Sequence, residues 1–132
     1  MKGCLFILLS FCIIAFSLKA DFLEVERQKA VKAKQLILLS VEKEGCPYCL
    51  KMQTEIFNVP KYSQQISKKY LHVSIHQEDS SLPKAFHVKY FPTNLILSPY
   101  DLHIIDEFAG YMRPDSFIEL LDEVYAQEFK SF

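Results

Sequence analysis

The sequence has no internal repeat, no low-complexity tract and no long linker, which excludes repeat arrays and tethered multidomain chains. Its 132 residues are read as one domain. Neither sign of charge dominates: fifteen Lys and Arg stand against sixteen Asp and Glu. No basic surface for nucleic acid or anionic membrane is implied. Tryptophan is absent, and cysteine is scarce, with four in the chain. The longest apolar stretch, Gly3 to Leu18, lies at the very start.

That stretch follows the basic Met1-Lys2 and leads into Leu18-Lys19-Ala20, a pattern that predicts a secretory signal peptide over residues 1–20 and a folded domain over 21–132. Cleavage after Ser17, with Ala15 in the small-residue position, is an alternative. So is a retained membrane anchor, for which a run of about 16 residues is short. Bulky Phe11 makes Cys12 a poor lipid-attachment site. Removing residues 1–20 takes away Lys2 and Lys19, leaving thirteen basic against sixteen acidic residues, a net charge of −3. Cys4 and Cys12 leave too, so Cys46 and Cys49 are the remaining cysteines. Exported proteins usually spend cysteines on structural staples. A pair three residues apart constrains almost none of the unfolded chain, so a reactive pair is the better reading. About 112 residues suffice for a core without staples.

Cys46-Pro47-Tyr48-Cys49 lies between an apolar run, Leu36 to Val41, and a helix-compatible stretch, Leu50 to Phe57. Strand, Cys-x-x-Cys, helix places the first thiol at a helix N-terminus, where the dipole and unpaired N–H groups stabilise a thiolate. Pro47 suits the first helical position because its missing N–H would be unpaired there. Cys46 is therefore the candidate nucleophile. Cys49, one turn inside, is placed to attack a mixed disulfide formed at Cys46. A zinc half-site is the competing reading. It lacks a second Cys pair, and His72, His76, His87 and His103 are scattered. Haem attachment needs His after the second Cys, where Leu50 stands. No metal and no cofactor beyond the Cys46–Cys49 disulfide is expected.

Along the rest of the domain, a helix is predicted over Phe22 to Lys34, with Phe22, Val25, Lys29 (its stem), Ala30 and Ala33 near one face. Gln35 to Val41 is apolar on both faces and so a central strand. Pro47 to Phe57 is the next helix. Asn58 is expected to cap another, with Pro60 in its first turn and its end near Lys69. Tyr70 to His76 alternates as a strand, and Leu82 to Phe86 forms a short helix. Thr93 to Ser98 and His103 to Phe108 make a hairpin about Pro99-Tyr100-Asp101. Gly110 breaks the pattern, and Pro114 opens a last helix with Phe117, Leu120, Leu121, Val124 and Tyr125 on one side. The fold class is α/β.

This order, with the Cys pair after the first strand and Phe91-Pro92-Thr93 entering the third, resembles the thioredoxin fold over residues 21–129. It implies a central mixed four-stranded sheet flanked by helices. More narrowly, Val41-Glu42-Lys43-Glu44-Gly45-Cys46-Pro47-Tyr48-Cys49-Leu50-Lys51-Met52 is similar to the SoxW-type exported bacterial thioredoxin-like proteins. The resemblance implies that Pro92 is a cis-proline packed against the Cys pair. It also implies that Phe91 offers its backbone to an extended substrate segment, with Pro47, Tyr48 and Thr93 beside it. A trans proline opening a strand is the plainer alternative.

The chain departs from cytoplasmic thioredoxin at two points. A buried acid normally lies six residues before the first Cys, where Ser40 stands, and Trp normally precedes that Cys, where Gly45 stands. Strand alternation puts Glu42 on the face of Ser40 and Leu38. Glu42 is then a candidate for proton transfer to Cys49, against the reading of a solvated loop carboxylate. Tyr48, Tyr90 and Phe91 are candidates to replace the lost Trp as an apolar rim, against ordinary packing. The Pro-Tyr dipeptide is that of glutaredoxins, but Phe108-Ala109-Gly110 before a long final helix departs from their glutathione site.

The expectation is thus a monomeric periplasmic disulfide reductase acting on exported proteins. The resemblance implies re-reduction by a membrane thiol electron donor. A disulfide oxidase or isomerase, and a non-enzymatic binding module with a structural disulfide, stay open as alternatives.

Overall fold

The computed structural model describes residues 21–130, and the predicted signal segment lies outside the described residues. Four strands form one mixed sheet: β1 (Leu36–Glu42), β2 (Tyr70–His76), β3 (Thr93–Leu97) and β4 (Ile104–Ala109), in the order β2-β1-β3-β4. β1 pairs with β2 in parallel, Leu36 opposite Tyr70 through Glu42 opposite His76. It pairs antiparallel with β3, which pairs antiparallel with β4. Helices α1 (Glu24–Ala33), α2 (Pro47–Met52), α3 (Pro60–Ser67) and α4 (Pro114–Lys130) surround the sheet.

Every residue of β1 is buried, as an apolar central strand requires. Its alternation sorts the core into two layers. Leu36 and Leu38 face α2, α3 and α4, packing with Met52, Ile56, Ile66, Phe117 and Leu121. Ile37, Leu39 and Val41 face the other way, against Ala30 of α1 and against Leu82 and Phe86. Ser40 and Glu42 share the first face, at the end of β1 that runs into the Cys pair.

The helix boundaries differ from expectation in instructive places. α1 is shorter than Phe22 to Lys34. Only Ala30 is buried in it, and Val25 is 59 % exposed. Phe22 instead precedes the helix and packs its ring 5.7 Å from Phe86. Arg27 ties this helix to the hairpin turn, donating from Nε to Pro99 O at 3.1 Å and from Nη2 to Tyr100 O. α2 continues through Gln53–Phe57 as a π-helical turn. Asn58 does not cap α3. Val59 precedes Pro60 there without a side-chain cap, while the Asn58 N–H closes the preceding turn on Gln53 O at 2.8 Å. The short helix near residue 82 is a 3₁₀ turn over Lys84–Phe86. β1 begins at Leu36, and β4 begins at Ile104 and runs to Ala109.

Candidate active site

Three elements converge where β1 ends. The loop after β1 turns at Gly45, whose φ of +70° suits glycine. Cys46 then sits at the N-cap of α2 in an extended conformation, and its sulfur accepts from the Cys49 N–H at 3.2 Å. Pro47 occupies the first turn. Cys46 and Cys49 are joined as a disulfide, with Cα atoms 5.3 Å apart. The two sulfurs are not equivalent. Cys46 is partly exposed and Cys49 is buried at 4 %. An incoming group therefore reaches Cys46 first.

A cavity of about 480 Å³ opens beside the pair, lined by Glu42, Pro47, Cys46, Cys49, Gln53 and His76 among others. Glu42 is not a solvated loop residue: it ends β1 and is 4 % exposed. Gln53 Nε2 donates to both its carboxylate oxygens, at 3.0 and 2.9 Å. His76 Nε2 lies 4.0 Å from Oε2. Neither Gln53 nor His76 was singled out from sequence as a site residue. Gln53 carried a signal, being four residues beyond Cys49 on the same helical face. The placement of His76 depends on the β1–β2 register.

On the far side, the Phe91–Pro92 peptide bond is cis and Pro92 is buried. Thr93 follows as the first residue of β3, its hydroxyl donating to Tyr90 O at 2.7 Å. Gly110, at φ +86°, donates its N–H to Pro92 O at 2.7 Å. Phe91 is partly buried against the α1 layer, with Lys43 Nζ 5.8 Å from its ring centre. Tyr48 and Tyr90 are exposed, at 58 % and 68 %. Tyr48 packs against Tyr111, ring centres 6.2 Å apart. Lys51 lies over Tyr111, whose hydroxyl donates to Glu55.

Ser40, six residues before Cys46, is wholly buried and carries no charge. Its hydroxyl donates to Asn94 Oδ1 at 2.6 Å, which makes His72 Nε2, 2.8 Å away, the donor to Ser40 Oγ. Burial pushes the His72 imidazole down to about 4, so it is neutral at physiological pH, and its ring stacks on Phe57 at 4.0 Å. Asn94 Nδ2 reaches Met52 Sδ at 3.6 Å. These polar groups satisfy one another beneath the Cys-bearing helix. Among the described residues, no group of three or more His, Cys, Asp or Glu is gathered to hold a metal ion, and no helix is long and apolar enough to cross a membrane.

Comparison with known proteins agrees with this architecture. Residues 23–125 match the thioredoxin-like domain family. The chain is similar in fold to the periplasmic thioredoxin SoxS from Paracoccus pantotrophus, with 23 % identity, a TM-score of 0.58 and coverage of 71 % of this chain and 99 % of that one. A thioredoxin from Thermus thermophilus superposes with a TM-score of 0.62 at 21 % identity, covering 76 % of this chain and 82 % of that one. The C-terminal domain of Neisseria meningitidis DsbD, in its oxidised form, gives 0.57 at 17 % identity, covering 76 % and 91 %. No curated protein sequence matches.

Proposed function

The chain belongs to the thioredoxin-like family, and from that premise we propose that it is an exported thiol–disulfide oxidoreductase that reduces disulfides in other exported proteins. The observation that carries this reading is the asymmetric Cys46–Cys49 disulfide, one sulfur partly exposed at a helix start and the other buried one turn inside. In the reduced protein, the helix N-terminus favours the Cys46 thiolate. That thiolate attacks a substrate disulfide, expelling one substrate sulfur and forming a mixed disulfide. Cys49 then attacks Cys46 Sγ, the second substrate sulfur leaves, and the protein is left oxidised. Pro47, Tyr48 and Phe91 form the surface that seats an extended substrate segment, with buried Pro92 and Thr93 shaping the chain beneath it.

Export is supported by the apolar leader over residues 1–20 and by the likeness to a periplasmic thioredoxin. Residues 21–132 then form the mature domain, which acts as a monomer. In an oxidising compartment such a protein needs a membrane thiol donor to be reduced again. Insulin reduction tests the reading: the reduced protein precipitates insulin B chain, and Cys46→Ser abolishes this. Precipitation by Cys46→Ser at the wild-type rate would falsify the assignment of the nucleophile.

A further inference from the structure

The dithiol site gathers positive charge in a domain whose balance is acidic. Lys43, in the loop that enters α2, accepts the Cys46 N–H on its backbone oxygen at 3.3 Å, and its Nζ lies 5.8 Å from the Phe91 ring centre. Lys51, within α2, holds its Nζ 4.4 Å from the ring centre of Tyr111, which in turn packs on Tyr48 at 6.2 Å. Phe91 belongs to the α1 layer and Tyr111 to the α4 layer, so the two ammonium groups stand toward opposite faces of the sheet. An aromatic face holds an ammonium group without neutralising it. Both lysines are exposed, and among the described residues neither forms an ion pair. Exposed Arg113, two residues after Tyr111, acts electrostatically on the Tyr111 hydroxyl. The acids nearby are mostly occupied. Glu42 is buried under two hydrogen bonds from Gln53, and half-buried Glu55 accepts the Tyr111 hydroxyl. Glu44 is the exposed acid in the wall of the cavity beside the cysteines. Acidic groups concentrate elsewhere: Asp115, Glu119, Asp122 and Glu123 line a groove between α3 and α4.

We propose that Lys43 and Lys51, supported by Arg113, are specificity-determining residues that bind carboxylates flanking the half-cystine of a substrate, so that the preferred substrates are disulfides in acidic polypeptide segments. This preference rests on the dithiol exchange proposed above and names the substrate class for it. An extended segment seated on Pro47, Tyr48 and Phe91 meets Lys43 at the Phe91 end and Lys51 at the Tyr48 end. Each ammonium that meets a carboxylate gains a charge-assisted hydrogen bond. Opposite charge also speeds encounter and like charge slows it, an effect that salt screens. The substrate carboxylates stay ionised and take no part in the exchange itself. They favour the complex in which the half-cystine lies against Cys46.

The test follows oxidation of the reduced protein by three cyclic peptide disulfides of one sequence, differing only in whether Glu, Gln or Lys flanks each half-cystine. Acid quench and mass spectrometry read the second-order rate constants. Each is taken relative to that of dithiothreitol on the same peptide, which removes the intrinsic effect of the flanking charge. At about 10 mM ionic strength the Glu peptide should react roughly three- to tenfold faster than the Gln peptide, and the Lys peptide slower still. The spread should shrink at about 300 mM. In the double variant Lys43→Gln, Lys51→Gln, the Glu and Gln peptides should react within about twofold of each other. Both positions are exposed, where substitution leaves the fold intact. Equal wild-type rates for the three peptides overturn the preference and leave dithiol exchange standing. So does a variant that keeps the wild-type spread, or one in which all three rates fall by the same factor, which would confine the lysines' effect to the Cys46 thiolate. Oxidation by none of the peptides overturns the dithiol reading and this preference with it.

Discussion

Cys46 and Cys49 differ in what surrounds each sulfur, and the difference has kinetic consequences. Cys46 is partly exposed at the N-cap, whereas Cys49 is 4 % exposed. Reduced protein should therefore be alkylated first at Cys46, with an apparent pKa below the free-thiol value of about 8.5. Cys49→Ser should accumulate mixed disulfides on Cys46. Mass spectrometry after brief alkylation checks this, and preferential labelling of Cys49 would reverse the two roles. A second expectation concerns Asn94, whose Oδ1 takes the Ser40 hydroxyl proton. Asn94→Ala leaves that buried O–H without its acceptor and should cost about 1–3 kcal/mol in denaturant unfolding. A loss within error of zero would mean that the network rearranges freely. The reactive pair was legible in the sequence because residue type and spacing alone carry it. The partners of Glu42 were not, because His76 meets it across a strand register that no local pattern encodes. The same holds for His72, which the sequence offered as one of several scattered histidines and the fold turns into the donor to Ser40.

At the scale of elements, β1 organises the molecule by sending Leu36 and Leu38 to one layer and Ile37, Leu39 and Val41 to the other. That division was readable from an unbroken apolar run followed by a turn. Elements with weaker patterns are less legible. α1 has only Ala30 buried, so its apolar positions gave no true face and Val25 lies in solvent. Asn58 looks like a cap by type, yet the π-helical turn Gln53–Phe57 carries the preceding helix up to it and uses its N–H. Gly110 links β4 to the proline loop through Pro92 O, at φ +86° with open space where a Cβ would stand. Gly110→Ala should therefore cost only the backbone penalty, on the order of 1–2 kcal/mol. Cys46 alkylation should stay unchanged. A much larger loss in the unfolding midpoint would point to a steric role the surroundings do not indicate.

Across the whole molecule, neutral His72 links stability to pH. Above about pH 6.5 the imidazole is neutral in both the folded and unfolded chain. Below it the unfolded chain binds a proton that the folded chain refuses until about pH 4, because burial disfavours the charge. Unfolding free energy should thus fall between about pH 6.5 and about pH 4. The loss is on the order of 3 kcal/mol at most and smaller to the extent that solvent reaches the ring. Asp79 and Asp101, held low by hydrogen bonds from Ser81 and His103, weaken the fold only at lower pH, as they protonate below the usual carboxylate range. His72→Gln should flatten the limb between pH 6.5 and 4, and urea titrations at several pH values would show whether it does. What the assembled molecule does depends on the Cys46–Cys49 couple, whose local setting is a helix N-terminus in a domain of mildly acidic balance. The direction of exchange follows from the reduction potential of that couple, measured by equilibration against glutathione buffers. A reversible couple near the glutaredoxin range of about −200 to −230 mV is expected. A value above about −150 mV, or a disulfide that never equilibrates with glutathione, would contradict it.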